Sequence, residues 1–129
     1  MRVFLTGSHD AEWRWNLSDF FQECQIEFFD SFEYSREFSS IFKLFRILEG
    51  CDGVIACFSR NERQHLETAL ELSYASKLAK EILVVDHMGR RQSWIHSMPY
   101  SLNFSSLDGL KAYLTKMIAI PQKTPRLLG

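Results

Sequence analysis

Residues 52–58, "DGVIACF", decide how this chain folds. From Val54 to Phe58 the stretch is apolar at every position, without the polar alternation of a strand that has one wet face. A strand of this kind is covered on both faces, which is the mark of a parallel sheet sandwiched between helices. Residues 81–86, "EILVVD", have the same character. Between them, residues 62–79 read as a helix with Asn61 as its cap, so strand, helix and strand form one crossover unit.

The same alternation extends in both directions. Upstream, "RVFLT" (2–6) is a β-rich run stopped by Gly7-Ser8. Residues 11–23 follow, with Trp13, Leu17, Phe20 and Phe21 at helical spacing and Asp10 available as a cap. "CQIEFFD" (24–30) is a second strand, and residues 35–49 bring Phe38, Ile41, Phe42, Phe45 and Leu48 onto one helical face, stopped by Gly50. Downstream, residues 90–98 form a short helix or loop, "SLNF" (101–104) a weak fifth strand, and residues 106–118 a last helix. Buried strands alternating with helices predict an α/β three-layer sandwich around a five-stranded parallel sheet, flavodoxin-like or Rossmann-like. One domain over residues 1–120 is expected, with "PQKTPRLLG" (121–129) a frayed tail.

The chain's 129 residues suffice for one real core, and eleven Phe among them make aromatic packing prominent in it. A net charge of −1 gives no electrostatic reason to expect a nucleic-acid polymer or an anionic membrane as partner. No apolar run approaches a membrane span, and "MRVFLTGSHD" lacks the long apolar core of a signal peptide. Cys24, Cys51 and Cys57 have no CxxC spacing, and Cys24 and Cys57 fall in expected strands as buried thiols. A soluble, reduced, cytoplasmic protein is the expectation.

In open α/β sheets, ligands bind beyond the carboxyl ends of the strands. The residues there are Thr6, Gly7, Ser8 and His9; Asp30 and Ser31; Ser59, Arg60 and Asn61; and Asp86 and His87. Gly7-Ser8 is a lone tight turn, neither a three-glycine dinucleotide fingerprint nor a P-loop, so no tightly held NAD or ATP cofactor is expected. A single phosphate could rest on backbone N–H groups near Ser8 or Arg60. His9, His65, His87 and His96 pair with no second ligand at a typical spacing, so no metal is expected, and no Gly-x-Ser-x-Gly elbow exists.

Glu67 and Glu71 lie one helical turn apart, and spacing alone is compatible with a solvated acidic stripe. Glu71, however, stands among Ala69, Leu70, Leu72 and Ala75, where packing is expected. Trp13-Arg14-Trp15 reads as half core and half surface.

Two stretches together resemble the nucleoside 2-deoxyribosyltransferase-like family. "VFLTGSHDAEWRWNL" (3–17) is similar to that family's opening strand and small-Gly turn with a Trp-Arg pair. "CDGVIACF" followed by "LETALELSYASKLAKEILVV" resembles its third strand, catalytic helix and fourth strand. The family's helix typically reads Thr-Ala-x-Glu-x-Gly-Tyr-Ala, matched here by Thr68, Ala69, Glu71, Tyr74 and Ala75. "IHSMPY" (95–100) is similar to a Ser-Met pair that, in the related deoxynucleotide N-hydrolases, enters the neighbouring subunit's pocket.

The resemblance implies that Glu71 is a nucleophile toward a sugar's anomeric carbon, since glycosidic cleavage passes through an oxocarbenium-like state that a carboxylate can trap. It implies a nucleoside or nucleoside 5′-monophosphate as substrate, bound by Thr6, Gly7, Ser8, His9, Ser59, Arg60, Asn61, Glu67, Tyr74 and Asp86. It also implies a homodimer or larger symmetric assembly in which Ser97 and Met98 come from a second protomer, and a Tyr74 hydroxyl bonded near Glu71. The chain departs from the pattern where two acids usually stand: His65 occupies one position, Phe42 the other, and Ser73 replaces a Gly. His65 is the expected stand-in acid, its ordinary pKa being near neutrality, with Asp30, Asp86 and Glu67 as other candidates. A degenerate nucleotide-binding sensor and a ligand-free interaction module are the competing expectations.

Overall fold

A computed structural model describes residues 1–8, 12–33, 41–59, 66–87 and 100–119. Its strands are β1 (Arg2–Gly7), β2 (Glu27–Asp30), β3 (Gly53–Phe58), β4 (Glu81–Asp86) and β5 (Leu102–Phe104). Among the described residues the longer helices are α1 (Glu12–Glu23), α2 (Ile41–Glu49), α3 (Leu66–Lys77) and α4 (Leu107–Ala119). All five strands pair in parallel, in the order β2-β1-β3-β4-β5. The chain reverses its direction of progress between β1 and β3, which is the switch point of a flavodoxin-like sheet.

Period-two alternation sends the apolar strands into two separate cores. Val3, Leu5, Ile55, Cys57, Leu83 and Val85 meet Trp13, Leu17 and Phe21 of α1 and Leu110 and Leu114 of α4. Phe4, Val54, Ala56, Phe58, Ile82 and Val84 meet Leu44 and Leu48 of α2 and Leu72 and Ala75 of α3. Among the described residues two helices thus cover each face, the three-layer sandwich expected from the continuous apolar runs.

Three local expectations are corrected. Cys24 lies in the turn before β2, which starts only at Glu27, because Gln25 takes a left-handed conformation (φ 57°) and the amide of Ile26 bonds back to Phe21. That is a helix-ending turn, and it consumes the first residues of the supposed strand. Ala79 (φ 59°) closes α3 in the same way, with the amide of Lys80 bonded to Ala75. On α2 the core stripe is Leu44 and Leu48, while Phe42 is 72% exposed. The helix is rotated relative to the phase read from its phenylalanines. The expectations for the caps Asp10 and Asn61, for Phe38, for residues 90–98 and for the tail at 121–129 lie outside the described residues.

At the carboxyl end of β1 the backbone itself demands glycine. Gly7 has φ +130°, and a Cβ there would stand 2.0 Å from the carbonyl oxygen of Cys57. This close approach lets the Ser8 amide bond to Cys57 at 2.9 Å and ties the end of β1 to the end of β3.

Candidate active site at the carboxyl ends of the strands

Thr6 is the last side chain of β1 to point toward α3, two positions beyond Phe4 on the same face. On α3 the stripe facing the sheet runs through Thr68, Glu71, Leu72 and Ala75, all buried. A carboxyl therefore occupies a core position, with only 1% of Glu71 exposed. Thr6 Oγ1 donates to Glu71 Oε1 at 2.5 Å and lies 3.0 Å from Thr68 Oγ1. The second oxygen, Oε2, is buried and accepts no hydrogen bond among the described residues.

This environment penalises charge. Burial pushes the Glu71 carboxyl up from 4.5 to about 8; the Thr6 hydrogen bond pulls the other way, and the charges of Glu67 and Asp30 add to the rise. A carboxyl so perturbed at the switch point of an α/β sheet is the kind of group that marks a functional site.

A second constellation flanks it. Arg14 is buried on α1, and its Nε bonds Asp30 Oδ1 at 3.1 Å at the carboxyl end of β2. The guanidinium lies against two aromatic faces, 4.7 Å from the Trp13 ring centroid and 4.5 Å from that of Phe32. Burial raises the Asp30 carboxyl above its ordinary value, while Arg14 and the Phe32 amide act to lower it. Asp30 pairs in register with Leu5, the residue before Thr6, so its charge reaches Glu71 across the end of β1. Beside it opens a pocket of about 300 Å³ between Trp15 and Ser18 of α1, Phe28 and Asp30 of β2, and Phe32. A smaller apolar hollow of about 90 Å³ lies at the opposite, amino ends of the strands, among Val3, Gly53, Leu83 and Leu114. Asp52, Glu81 and Tyr113 also line it, with the Tyr113 hydroxyl donating to Glu81 at 3.2 Å, but the buried carboxyl whose pKa is pushed far up stands at the carboxyl ends, which the chemistry therefore favours.

Of the residues expected to form a site, Thr6, Gly7, Ser8 and Glu71 come together at the ends of β1 and α3. Ser8 is fully buried; its carbonyl accepts from Trp13 Nε1 at 3.1 Å and its Oγ accepts from the Ser59 amide at 3.2 Å. That links the Trp of the Trp-Arg pair to the turn after β1. Asp86 is buried at the end of β4, in register with Phe58 of β3. Glu67, in the first turn of α3, is exposed, so the two glutamates face different surroundings.

Tyr74 is a correction. Its hydroxyl donates to Glu49 of α2 and its ring stacks on Phe45 at 4.3 Å, tying α2 to α3 instead of reaching Glu71. At 72% exposure Phe42, where the family pattern has an acid, is a surface side chain with no proton to give. His9, Arg60, Asn61, His65, Ser97 and Met98 lie outside the described residues. Thr68 appeared in the sequence only as a motif match; its contact with Thr6, 62 residues away, gives it a role that spacing along the helix could not indicate. Arg14 and Asp30 were likewise separate signals, a basic residue on a helix and an acid after a strand.

No protein-family model matches this chain, and a search of curated proteins finds no relative.

Proposed function

We propose that this protein acts on the N-glycosidic bond of a nucleoside or nucleoside 5′-monophosphate, with Glu71 as the nucleophile. The observation that carries the reading is a carboxyl placed in a helix's core stripe at the switch point, one oxygen held by Thr6 and the other unpartnered among the described residues. A buried acceptor left without a hydrogen bond costs about 1–3 kcal/mol, so a fold that keeps one has a use for it. In the ionised state Oε2 bonds to the anomeric carbon as the carbon–nitrogen bond breaks, and the base departs with the bonding pair. Water or a second base then attacks the same carbon and returns the carboxylate.

Burial that favours the neutral carboxyl also sets the working range: the nucleophile is ionised above about pH 8. Thr6 to Ser8 would line the sugar, and water supplies the leaving base's proton, since Asp30, the carboxyl in register with Leu5, is paired with Arg14. The family resemblance supports a symmetric dimer that shares Ser97 and Met98 between protomers. Three cysteines outside any disulfide, of which Cys51 and Cys57 are buried, suit a reducing cytoplasmic setting.

The deciding experiment is base release followed by chromatography, from a panel of nucleosides and 5′-monophosphates, with Glu71→Gln beside the wild type. Release that disappears in the variant upholds the reading, and a free acceptor base then separates transfer from hydrolysis. Equal release by both proteins, or none from either, rejects it.

The raised pKa of Glu71 also favours a second reading. A carboxyl kept neutral at pH 7 is a hydrogen-bond donor as well as an acceptor. In that role Glu71 would bind a nucleotide without cleaving it, and Glu71→Gln would weaken ligand-induced thermal stabilisation with no turnover to lose.

A further inference from the structure

A threonine hydroxyl has a single proton, and the arithmetic of the Glu71 contacts follows from it. When Glu71 is ionised its carboxylate can only accept. Thr6 then spends its proton on Oε1 across 2.5 Å. The 3.0 Å contact between Thr6 and Thr68 must therefore be donated by Thr68. The chain of donation runs Thr68 to Thr6 to Glu71, in one direction. When Glu71 is neutral, a proton on Oε1 lets the same chain run in reverse, with no atom displaced. Both hydroxyls are buried, Thr6 at 2% and Thr68 at 5% exposure. They come from elements on opposite sides of the contact, the end of β1 and the first turn of α3.

We propose that Thr6 and Thr68 are positioning residues that hold Oε1 of Glu71 and thereby reserve Oε2 as the atom that bonds to the anomeric carbon. The inference rests on the glycosidic reading for its reaction and on the geometry alone for the hydroxyl chain. In the step itself, the Oε2–C1′ bond forms as the C1′–N bond breaks. The base leaves with the electron pair and takes a proton from water. In a hydrolase a second water then attacks C1′, the Oε2–C1′ bond breaks, Glu71 recovers its electron pair, and the water's proton passes to solvent. Throughout, Oε1 keeps the Thr6 proton as its hydrogen bond, so the charge returning to the carboxylate is met by a donor already in place.

Several charged groups surround this carboxyl. Glu67 on α3 and Asp30 on β2, the latter paired with Arg14, act on Glu71 directly. Asp86 closes β4, and α2, packed on α3, carries Lys43, Arg46 and Glu49 at exposed positions, with Glu49 engaged by Tyr74. Neither Thr6 nor Thr68 alters any of these charges, so their substitution isolates the hydroxyl chain.

The test follows the Glu71 side-chain carboxyl by carbon-13 NMR against pH in wild type, Thr6→Val, Thr6→Ser and Thr68→Val. Removing a hydrogen bond to a charged group should raise the Glu71 midpoint by about one pH unit in Thr6→Val. Thr6→Ser should restore it, and Thr68→Val should raise it by less, because Thr6 still reaches Oε1. On a cleavable nucleoside, Thr6→Val should lower kcat by roughly 10-fold or more with KM little changed. An unmoved midpoint in Thr6→Val overturns the proposal. If that variant does not fold, the decision passes to Thr68→Val: a raised midpoint supports the chain and an unmoved one overturns it. A midpoint that moves as expected in a protein that cleaves no nucleoside would instead reject the glycosidic reading and leave the hydroxyl chain standing.

Discussion

Glu71→Gln should change how stability depends on pH more than it changes stability itself. In the folded protein the Glu71 carboxyl titrates at about 8 instead of 4.5. Between those values the folded state holds a proton that the unfolded chain has released. Stability is therefore highest below about pH 4.5, falls as pH rises, and reaches its lower plateau once pH passes about 8. The interval of roughly 3.5 pH units corresponds to about 5 kcal/mol at about 1.4 kcal/mol per unit, an upper value that side-chain relaxation will reduce. Gln has no proton to release, so the variant lacks this loss. It keeps an acceptor for Thr6 but buries an amide N–H₂ where Oε2 was, a roughly pH-independent cost of about 1–3 kcal/mol.

Urea unfolding from pH 5 to pH 9 measures both curves. Asp30 titrates in the same direction and is common to the two proteins, so the difference between them isolates Glu71. The variant should be the less stable at pH 5 and should gain on the wild type by about 3–5 kcal/mol by pH 9. With an m-value of about 1.5–2 kcal/mol per molar urea, the relative midpoint moves by about 2 M. Curves that stay parallel within about 0.5 kcal/mol across this range would show that Glu71 is ionised in the folded state throughout and refute the burial argument.

Other outcomes follow from the same geometry. If the glycosidic reading holds, kcat/KM of the wild type should climb with pH and level off above about 8, as seen in a rate profile from pH 5 to pH 10; a flat profile counts against Glu71 as the nucleophile. Arg14→Met, which strands Asp30 in a buried site, should cost about 3–5 kcal/mol by chemical denaturation, and Arg14→Lys should not restore it, because Lys has neither the Nε donor nor a planar face for Trp13 and Phe32. Gly7→Ala should destabilise by at least about 2 kcal/mol or prevent folding, read as loss of soluble protein or of Tm, since the added methyl meets the Cys57 carbonyl and the backbone is left-handed. Phe42→Ser should leave stability within about 0.5 kcal/mol in the same assay, because the ring is exposed.

Periodicity along the chain determined the layers. Val54 to Phe58 and Ile82 to Val85 are apolar at every step, and a strand that is apolar on both sides has to be covered on both sides. The stripe Trp13, Leu17 and Phe21 could be read for the same local reason, since the helical period is set by backbone geometry. Phase was less legible than period. Seven apolar side chains on 35–49 permit more than one face, and only the sheet beneath α2 selects Leu44 and Leu48 and leaves Phe42 outside. The end of α1 at Glu23 was legible, but β2 starts at Glu27 and not at Cys24 because Gln25 adopts a left-handed turn usually marked by glycine.

The candidate site divides along the same line. That Glu71 interrupts an apolar stripe is visible in the order of residues alone. That its partner is Thr6, 65 positions earlier, is a consequence of β1 lying beside β3 with α3 packed across them. The pairing of Arg14 with Asp30 likewise follows from α1 folding back over β2. Local chemistry sets which faces are apolar and where the turns fall, but it carries no information about which distant oxygen meets which hydroxyl. Burial and pKa belong to that second kind of fact, because both depend on every atom that replaces water around a group, and those atoms are brought there only by the tertiary fold.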